Sequence, residues 1–170
     1  MLRKLPYYRT SWLLLASGAL ILEMIALFFQ YGMRLEPCVM CVYQRVAVLG
    51  IFAAGVLGAI APRMLWLRLA ALVSWLIASG WGLKLAIEHV SLQTDPSPFK
   101  QCTFLPDFPF WFKVDKWFPA MFEARGDCTQ TVWHFAGLSM PQWMEIIFGA
   151  LFIIGLLMTL GQLLRPRPKA

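Results

Sequence analysis

Four long apolar stretches constrain this chain more than any other feature of its sequence. A helix needs about 20 predominantly apolar residues to cross ~30 Å of hydrocarbon, and the stretches cover residues 12–31, 42–61, 65–86 and 146–164. Hydrophobic residues make up 59% of the chain, whereas a soluble domain has about 45–50%. The first stretch is too long for the apolar region of a signal peptide. We therefore predict an all-α integral membrane protein, a four-transmembrane-helix bundle that forms a single domain over residues 1–170.

The distribution of charge predicts the orientation of the chain. The N-terminus, the turn around Pro62 and the C-terminal tail together hold eight Lys or Arg residues and no Asp or Glu. This bias favours a cytoplasmic position for both termini and for the turn. The loops 32–41 and 87–142 then lie outside, which in a bacterium is the oxidising periplasm, where disulfides persist. Because the basic residues follow the ends of the apolar stretches and form no single patch, they indicate a lipid bilayer partner and no nucleic acid.

Cys38 and Cys41 form a C-x-x-C pair directly after Pro37, at the start of the second apolar stretch. Proline suits the first turn of a helix, so the pair falls at a helix N-terminus, whose partial positive charge favours a thiolate. Arg45 lies four residues beyond Cys41 on the same helical face and adds a permanent cation. A snorkelling position near the helix end is the alternative for Arg45. The pattern predicts thiol–disulfide exchange.

A cysteine-based metal-binding membrane module is the alternative function. Zinc needs four ligands, and the chain offers four cysteines and two histidines. We favour redox chemistry and expect no metal, because the second cysteine pair lacks C-x-x-C spacing and zinc does not explain the membrane location.

Cys102 and Cys128 lie in the long outer loop, so all four cysteines face the oxidising side and three pairings are possible. A structural clip between these two would stabilise the fold by roughly 3–4 kcal/mol in the chain-entropy model. We favour a second dithiol that relays electrons, because exchange needs access and mobility.

Two other polar residues, His89 and Glu23, are candidates for the site. His89 closes the third stretch on the cysteine side and is either a proton donor near the first pair or a satisfied interfacial histidine. Glu23 lies mid-span, where a carboxylate is a functional hypothesis by default, although we favour a helix-to-helix hydrogen bond. His134 has no such position and is expected at the surface.

Aromatic residues crowd the segment 108–122 of the outer loop. One helical stripe contains Phe110, Val114, Trp117, Phe118 and Met121. Proline at position 119 would interrupt this helix. We predict one or two short turns that lie flat on the membrane surface, the alternative being a small aromatic core.

Five motifs carry a resemblance to a known family. They are EPCVMCVYQR at 36–45, IEHVSLQ at 87–93, PSPF at 96–99, ARGDC at 124–128 and MPQW at 140–143. In this order on four apolar stretches they resemble the disulfide bond formation protein B (DsbB) family over nearly the whole chain, from residue 12 to about residue 164.

The resemblance implies an enzyme, a protein-disulfide:quinone oxidoreductase of the bacterial inner membrane. It would reoxidise a periplasmic thiol oxidase of the DsbA type and pass the electrons to membrane quinone, ubiquinone or menaquinone. The resemblance also implies that Cys102, disulfide-bonded to Cys128, forms the mixed disulfide with the partner. Cys128 would then attack Cys38 and leave Cys41 as a thiolate against the quinone.

By the same resemblance, Arg45, His89 and Gln93 would bind the quinone. Gln44 stands where a glutamate is familiar in relatives, and its neutral amide should slightly favour a thiolate at the helix start. The residues themselves agree with a quinone acceptor, since the sequence shows no nucleotide fingerprint, haem motif or cluster-type cysteine set. A lipid-soluble carrier is then the simplest electron sink.

Overall fold

Four long helices dominate the computed structural model, which describes residues 2–95, 102, 106–109 and 111–163. In chain order the elements are a 3-10 helix (Leu2–Tyr7), α1 (Arg9–Leu27) with a π-helical continuation (Phe28–Gly32), α2 (Val39–Ile60), α3 (Leu65–Thr94), α4 (Val114–Trp117), α5 (Pro119–Phe122), β1 (His134–Phe135), β2 (Leu138–Ser139) and α6 (Met140–Leu163). The helices α1, α2, α3 and α6 are long and apolar enough to cross a membrane. The predicted four-helix membrane fold is confirmed.

Two helix boundaries differ from the predicted spans by six residues or more. Helix α3 continues past the predicted end at residue 86 to Thr94, and α6 begins at Met140 instead of residue 146. Hydropathy indicates where a helix leaves the hydrocarbon, but it does not indicate where the helical hydrogen bonds end. A polar extension of a spanning helix is therefore not predicted from the length of the apolar stretch. As a result, His89 and Gln93 lie on a helix and not in the loop.

Helix α2 packs between α1 and α3, and α3 packs against α6. The core between them contains Trp12, Ile51, Leu72 and Phe148, each at most 2% exposed. Trp12 sits tightly on α2, because a Cβ atom at Gly58 would lie 2.2 Å from its ring. The outward faces keep large apolar side chains exposed, as expected for lipid contact. Examples are Leu14, Trp66, Ile77 and Ile153.

The long loop between α3 and α6 folds back onto the start of α2. Val114 and Phe122 are buried in a cluster with Val42 and Phe108, whereas Trp117 and Phe118 are exposed. A proline begins α5, so the predicted interruption of the aromatic helix is present. Part of the segment therefore forms an aromatic and apolar core, and its placement on the membrane surface stays a prediction. Residue 110 of the predicted stripe and the motif at 96–99 lie outside the described residues.

Candidate active site

All four cysteines gather at one end of the bundle, where α2 begins and α3 ends. Cys38 and Cys128 share a buried cluster with Leu92, and Cys41 and Cys102 pack against it. Cys102 and Cys128 are joined by a disulfide with their Cα atoms 6.0 Å apart, and the other two cysteines are free. This is the pairing that the resemblance implies. We refer to this end of the molecule as the cysteine end.

Cys38 and Cys41 begin α2, as predicted from the preceding proline. Cys38 is the N-cap residue, and its sulfur accepts a hydrogen bond from the Cys41 backbone N–H at 3.2 Å. The two Sγ atoms are 2.6 Å apart. The hydrogen bond to the Cys41 side chain, together with burial, raises the pKa of the Cys38 thiol above its usual value. Because the two sulfurs are this close, a proton on either one is within reach of the other.

Residues 124–128, which we call the strap, bring Cys128 to this pair. The backbone N–H groups of Arg125 and Gly126 both donate to the Pro37 carbonyl, at 2.9 and 3.0 Å, and Gly126 forms a parallel β-bridge with Cys38. A Cβ atom at Gly126 would lie only 2.3 Å from the Glu36 carbonyl oxygen. The close approach of the strap to the start of α2 therefore depends on glycine at position 126.

A local turn fixes the end of the strap. The backbone N–H and the hydroxyl of Thr129 donate to Asp127 Oδ1, each at 2.9 Å. These bonds lower the pKa of Asp127 and hold the chain in a tight turn around Cys128, which is fully buried.

His89 lies beside the first cysteine pair, on the part of α3 that extends past the predicted span. Its Nε2 atom is 3.6 Å from Cys38 Sγ, and its Nδ1 atom is 3.3 Å from Gln44 Nε2. The side chains of His89 and Gln44 are buried, at 4% and 5% exposure. His89 is thus placed to exchange a proton with Cys38. His134 is exposed on β1, as the sequence predicts.

Arg45 is buried at 7% exposure, so it does not snorkel. One guanidinium nitrogen donates to Gln30 Oε1 at 2.6 Å and to the Met121 carbonyl at 2.7 Å, and the other donates to the Ala26 carbonyl at 2.8 Å. The π-helical turn that ends α1 carries Gln30, and Tyr31 beside it donates to the Ala120 carbonyl. Arg45 therefore ties α1, α2 and the long loop together next to the cysteines.

A cavity of about 370 Å³ opens between α1, α2 and α6 at the cysteine end. Most of its lining is apolar. Among its lining residues are Leu22, Ala26, Phe29, Val48, Trp133, Met144 and Ile147. Cys41, Arg45, Gln44 and His89 supply polar groups on its wall. The C-x-x-C pair thus has one sulfur in an apolar cavity and the other against the strap.

Glu23 also lines this apolar cavity, and it corrects one prediction. The side chain is only 3% exposed, and neither carboxyl oxygen has a hydrogen-bond partner among the described residues. The helix-to-helix hydrogen bond favoured from sequence is therefore wrong. A single sequence shows that a carboxylate is buried mid-span, but it does not show whether a partner faces it across the bundle.

A second cavity of about 390 Å³ lies on the other side of the pair and is more polar. Its lining includes Arg34, Glu36, Cys38, Cys41, Gln93, Arg125, Asp127 and Gln130. Gln93 lines this second cavity and not the apolar one, and its Nε2 atom donates to the Gln130 carbonyl at 3.3 Å. The structure therefore does not bring Gln93 together with Arg45.

Sequence reasoning missed the three partners of Arg45, which are Gln30 and the backbone carbonyls of Ala26 and Met121. Gln30 is a polar residue inside an otherwise apolar stretch, a signal that predicts a buried contact without naming its partner. The Met121 carbonyl carries no sequence signal, because any residue supplies a backbone oxygen.

Four membrane-spanning helices with a disulfide-bearing strap held against a C-x-x-C pair define a membrane-embedded dithiol–disulfide protein. The family model described as Disulfide bond formation protein DsbB matches residues 8–158. The chain is 46% identical over 166 residues to Disulfide bond formation protein B of Aeromonas hydrophila. This alignment covers 98% of this chain and 96% of the relative. It is 48% identical over 168 residues to the protein of that name from Sodalis glossinidius, covering 99% and 95%.

The chain belongs to the DsbB family of disulfide bond formation proteins. Family membership and the cysteine pair at bonding distance support an oxidoreductase role for this multi-pass membrane protein.

Proposed function

We propose that this protein reoxidises a DsbA-type thiol oxidase of the bacterial periplasm and passes the electrons to membrane quinone. One observation carries the proposal. Cys41 lines an apolar cavity between spanning helices, while Cys38 of the same pair contacts the strap that carries the second disulfide. A C-x-x-C pair in this position connects a thiol-exchange surface to a lipid-accessible site.

The proposed route begins at the Cys102–Cys128 disulfide. A thiolate of the reduced partner attacks Cys102 and forms a mixed disulfide, which releases Cys128 as a thiolate. Cys128 then attacks Cys38 of the oxidised C-x-x-C pair and displaces Cys41 as a thiolate. The burial of Cys38 and Cys128 in one cluster supports this order. The partner's second thiol resolves the mixed disulfide, and Cys102 is left to resolve the Cys128–Cys38 bond.

The apolar cavity suits a quinone by size and by lining. Small-molecule sites usually enclose about 300–1,000 Å³ and combine apolar walls with a few polar groups, and this cavity has about 370 Å³. When bound, a quinone accepts two electrons and two protons and leaves as quinol. Cys41 would donate the electrons, Arg45 would favour its thiolate form through charge, and His89 would receive the Cys38 proton. The predicted cofactor role of Gln93 has no support from this cavity.

The orientation is proposed from charge and from the position of the cysteines. The turn between α2 and α3 contains Arg63 and lies at the opposite end from the cysteines. The positive-inside rule assigns that end, together with both termini, to the cytoplasm. The cysteine end then faces the periplasm, where a soluble thiol oxidase has access to the strap.

The metal-binding alternative has one observation in its favour. Cys38, Cys41 and His89 offer ligand atoms that all lie within 4.8 Å of one another. The disulfide removes Cys102 and Cys128 from the ligand set, so the described residues do not complete a four-ligand zinc site. Elemental analysis of anaerobically purified protein separates the two functions, since stoichiometric zinc or copper would favour the metal site.

The proposed function is tested by mixing quinone with a Cys38→Ser variant. Without Cys38, the Cys41 sulfur has no partner for a disulfide and stays against the bound ring. We expect a visible absorption band from contact between the thiolate and the quinone. Cys41→Ser is the matched control and should show no band. Quinone that binds to Cys38→Ser without any visible band would overturn the proposal.

A further inference from the structure

Glu23 is a buried carboxyl group that the electron route above does not use. It lies near the C-terminal end of α1, is 3% exposed, and lines the same cavity as Cys41 and Arg45. Neither of its oxygens has a hydrogen-bond partner among the described residues. Burying a polar group without a partner is costly, so a carboxyl group retained in this position points to a ligand that enters the cavity.

Arg45 does not satisfy this carboxyl group. Its guanidinium donates to Gln30 and to the carbonyls of Ala26 and Met121. Burial in an apolar wall favours the neutral, protonated form of a carboxyl group, whereas the charge of Arg45 on the same wall opposes it. In that form Glu23 is a proton donor that faces the cavity.

The proposed reaction needs one more proton than the Cys38 thiol supplies. Forming the Cys38–Cys41 disulfide from one thiol and one thiolate releases two electrons but only one proton, the proton of Cys38. Quinol formation consumes a second proton, and an acidic group on the cavity wall would supply it directly to the bound ring.

Few groups around the cavity are able to deliver that second proton. Arginine does not lose its proton in proteins, so Arg45 is excluded. His89 lies against Cys38 at 3.6 Å and suits the first proton. Glu36 also lines the cavity, but its side chain is exposed to solvent at the mouth and is not buried against the apolar wall. Glu23 is the buried carboxyl group that remains.

We propose that Glu23 delivers the second proton to a quinone oxygen, an inference that rests on the proposed function. In this step the Cys41 thiolate and the Cys38 thiol become a disulfide and release two electrons and one proton. Glu23 gives up its own proton and becomes a carboxylate, so the quinone gains two electrons and two protons. The negative charge passes from Cys41 to Glu23. Glu23 is then reprotonated from solvent by the proton that the attacking thiol of the reduced partner released when it became a thiolate.

The test compares Glu23→Gln with wild type and with Glu88→Gln. Glutamine keeps the size and the polarity of the side chain but has no acidic proton. Glu88 is a matched control, because it is a helical glutamate whose side chain is 44% exposed in a surface pair with Lys84. General acid catalysis usually contributes roughly 10²–10⁴-fold to a rate, so we expect quinone reduction by Glu23→Gln to fall roughly 10²-fold or more. Glu23→Asp should recover part of the rate, and Glu88→Gln should match wild type.

Two further readouts distinguish proton delivery from a structural role. In wild type, quinone reduction should change the infrared C=O band of a protonated carboxyl group, and Glu23→Gln should lack this change. The visible band of the Cys38→Ser protein should persist when Glu23→Gln is added, because the quinone still binds next to Cys41. Loss of that visible band, or an unchanged infrared signal or turnover in Glu23→Gln, would overturn the inference. If wild type itself reduces no quinone, the proposed function fails and not merely the role of Glu23.

Discussion

Two arginines are buried at opposite ends of the bundle, and their surroundings differ. Arg68, 4% exposed near the start of α3, stacks over the Tyr7 ring at 4.1 Å and donates to the Pro62 carbonyl at 3.0 Å. Arg45, 7% exposed on α2, lines an apolar cavity together with a free cysteine and a carboxyl group that has no hydrogen-bond partner in the described part of the chain. Arg68 does not line that cavity.

Under the proposed function, this difference separates a structural cation from a functional one. Burial of a charge is expensive at both ends, and at the Arg68 end an aromatic ring and a carbonyl offset the expense. At the Arg45 end, the same kind of contacts hold the guanidinium next to Cys41, so its charge also acts on a reactive sulfur. Burial of an arginine alone therefore does not identify a functional site. The reactive groups that line the same cavity as the arginine do identify one.

The largest expected effect comes from removing the sulfur that distinguishes the Arg45 end. Cys41→Ser should lower quinone reduction by a reduced partner to the uncatalysed background, because no thiolate then faces the cavity. Quinone absorbance measures the rate, and circular dichroism checks that the helices still form. If the Cys41→Ser protein still reduced quinone, the Arg45 end would be no more functional than the Arg68 end.

Exchanging each arginine for lysine sharpens the comparison. Arg45→Lys keeps the charge, but one ammonium group does not reproduce a guanidinium that contacts three acceptors. Losing one charge-assisted hydrogen bond to Gln30, Ala26 or Met121 costs about 1.5–3 kcal/mol of folding free energy and leaves the cation less firmly held on the cavity wall. We therefore expect weaker quinone binding in a titration of the visible band of Cys38→Ser. Arg68→Lys in the same background is the control and should leave the affinity unchanged.

A smaller effect is expected at the strap. Gly126→Ala would place a Cβ atom against the Glu36 carbonyl, and the backbone has to move away. Forcing atoms into a packed site typically costs about 1–3 kcal/mol, so we expect exchange between Cys128 and Cys38 to slow roughly 10-fold. Quenched-flow trapping with an alkylating reagent measures this step.

The control for the strap is Gly18→Ala, since a Cβ atom at Gly18 meets nothing within 4 Å. Reduction of quinone by the already reduced C-x-x-C pair should be normal in both variants. Equal exchange rates in the two alanine variants would show that the close approach at Gly126 does not matter for transfer.

The smallest effect on activity is expected at the Arg68 end. Arg68→Lys loses planar stacking on Tyr7 and should lower the free energy of unfolding by about 0.5–1 kcal/mol, with turnover unchanged. Thermal unfolding in detergent measures the loss. A variant with normal stability but slow quinone reduction would instead make Arg68 part of the functional machinery.

Local and repetitive features of this protein were predictable from the sequence. The lengths of the apolar stretches predict four spanning helices, since hydrocarbon thickness sets a minimum helix length. A proline before Cys38 predicts a helix start at the pair, and a proline at position 119 predicts the break between α4 and α5. The positions of Arg45 and His89 near the pair followed from helical spacing and from their place at the end of a span.

The contacts that turn these elements into a site were decided by the tertiary structure. The sequence does not show that Met121 offers its carbonyl to Arg45, that the strap bonds to Pro37, or that Gln93 faces a different cavity from Arg45. These are contacts between segments far apart in the chain, and several involve backbone atoms that every residue has. The sequence determined that a carboxyl group lies within the span at Glu23. Only the packing of three helices decided that this group faces a cavity and has no hydrogen-bond partner among the described residues.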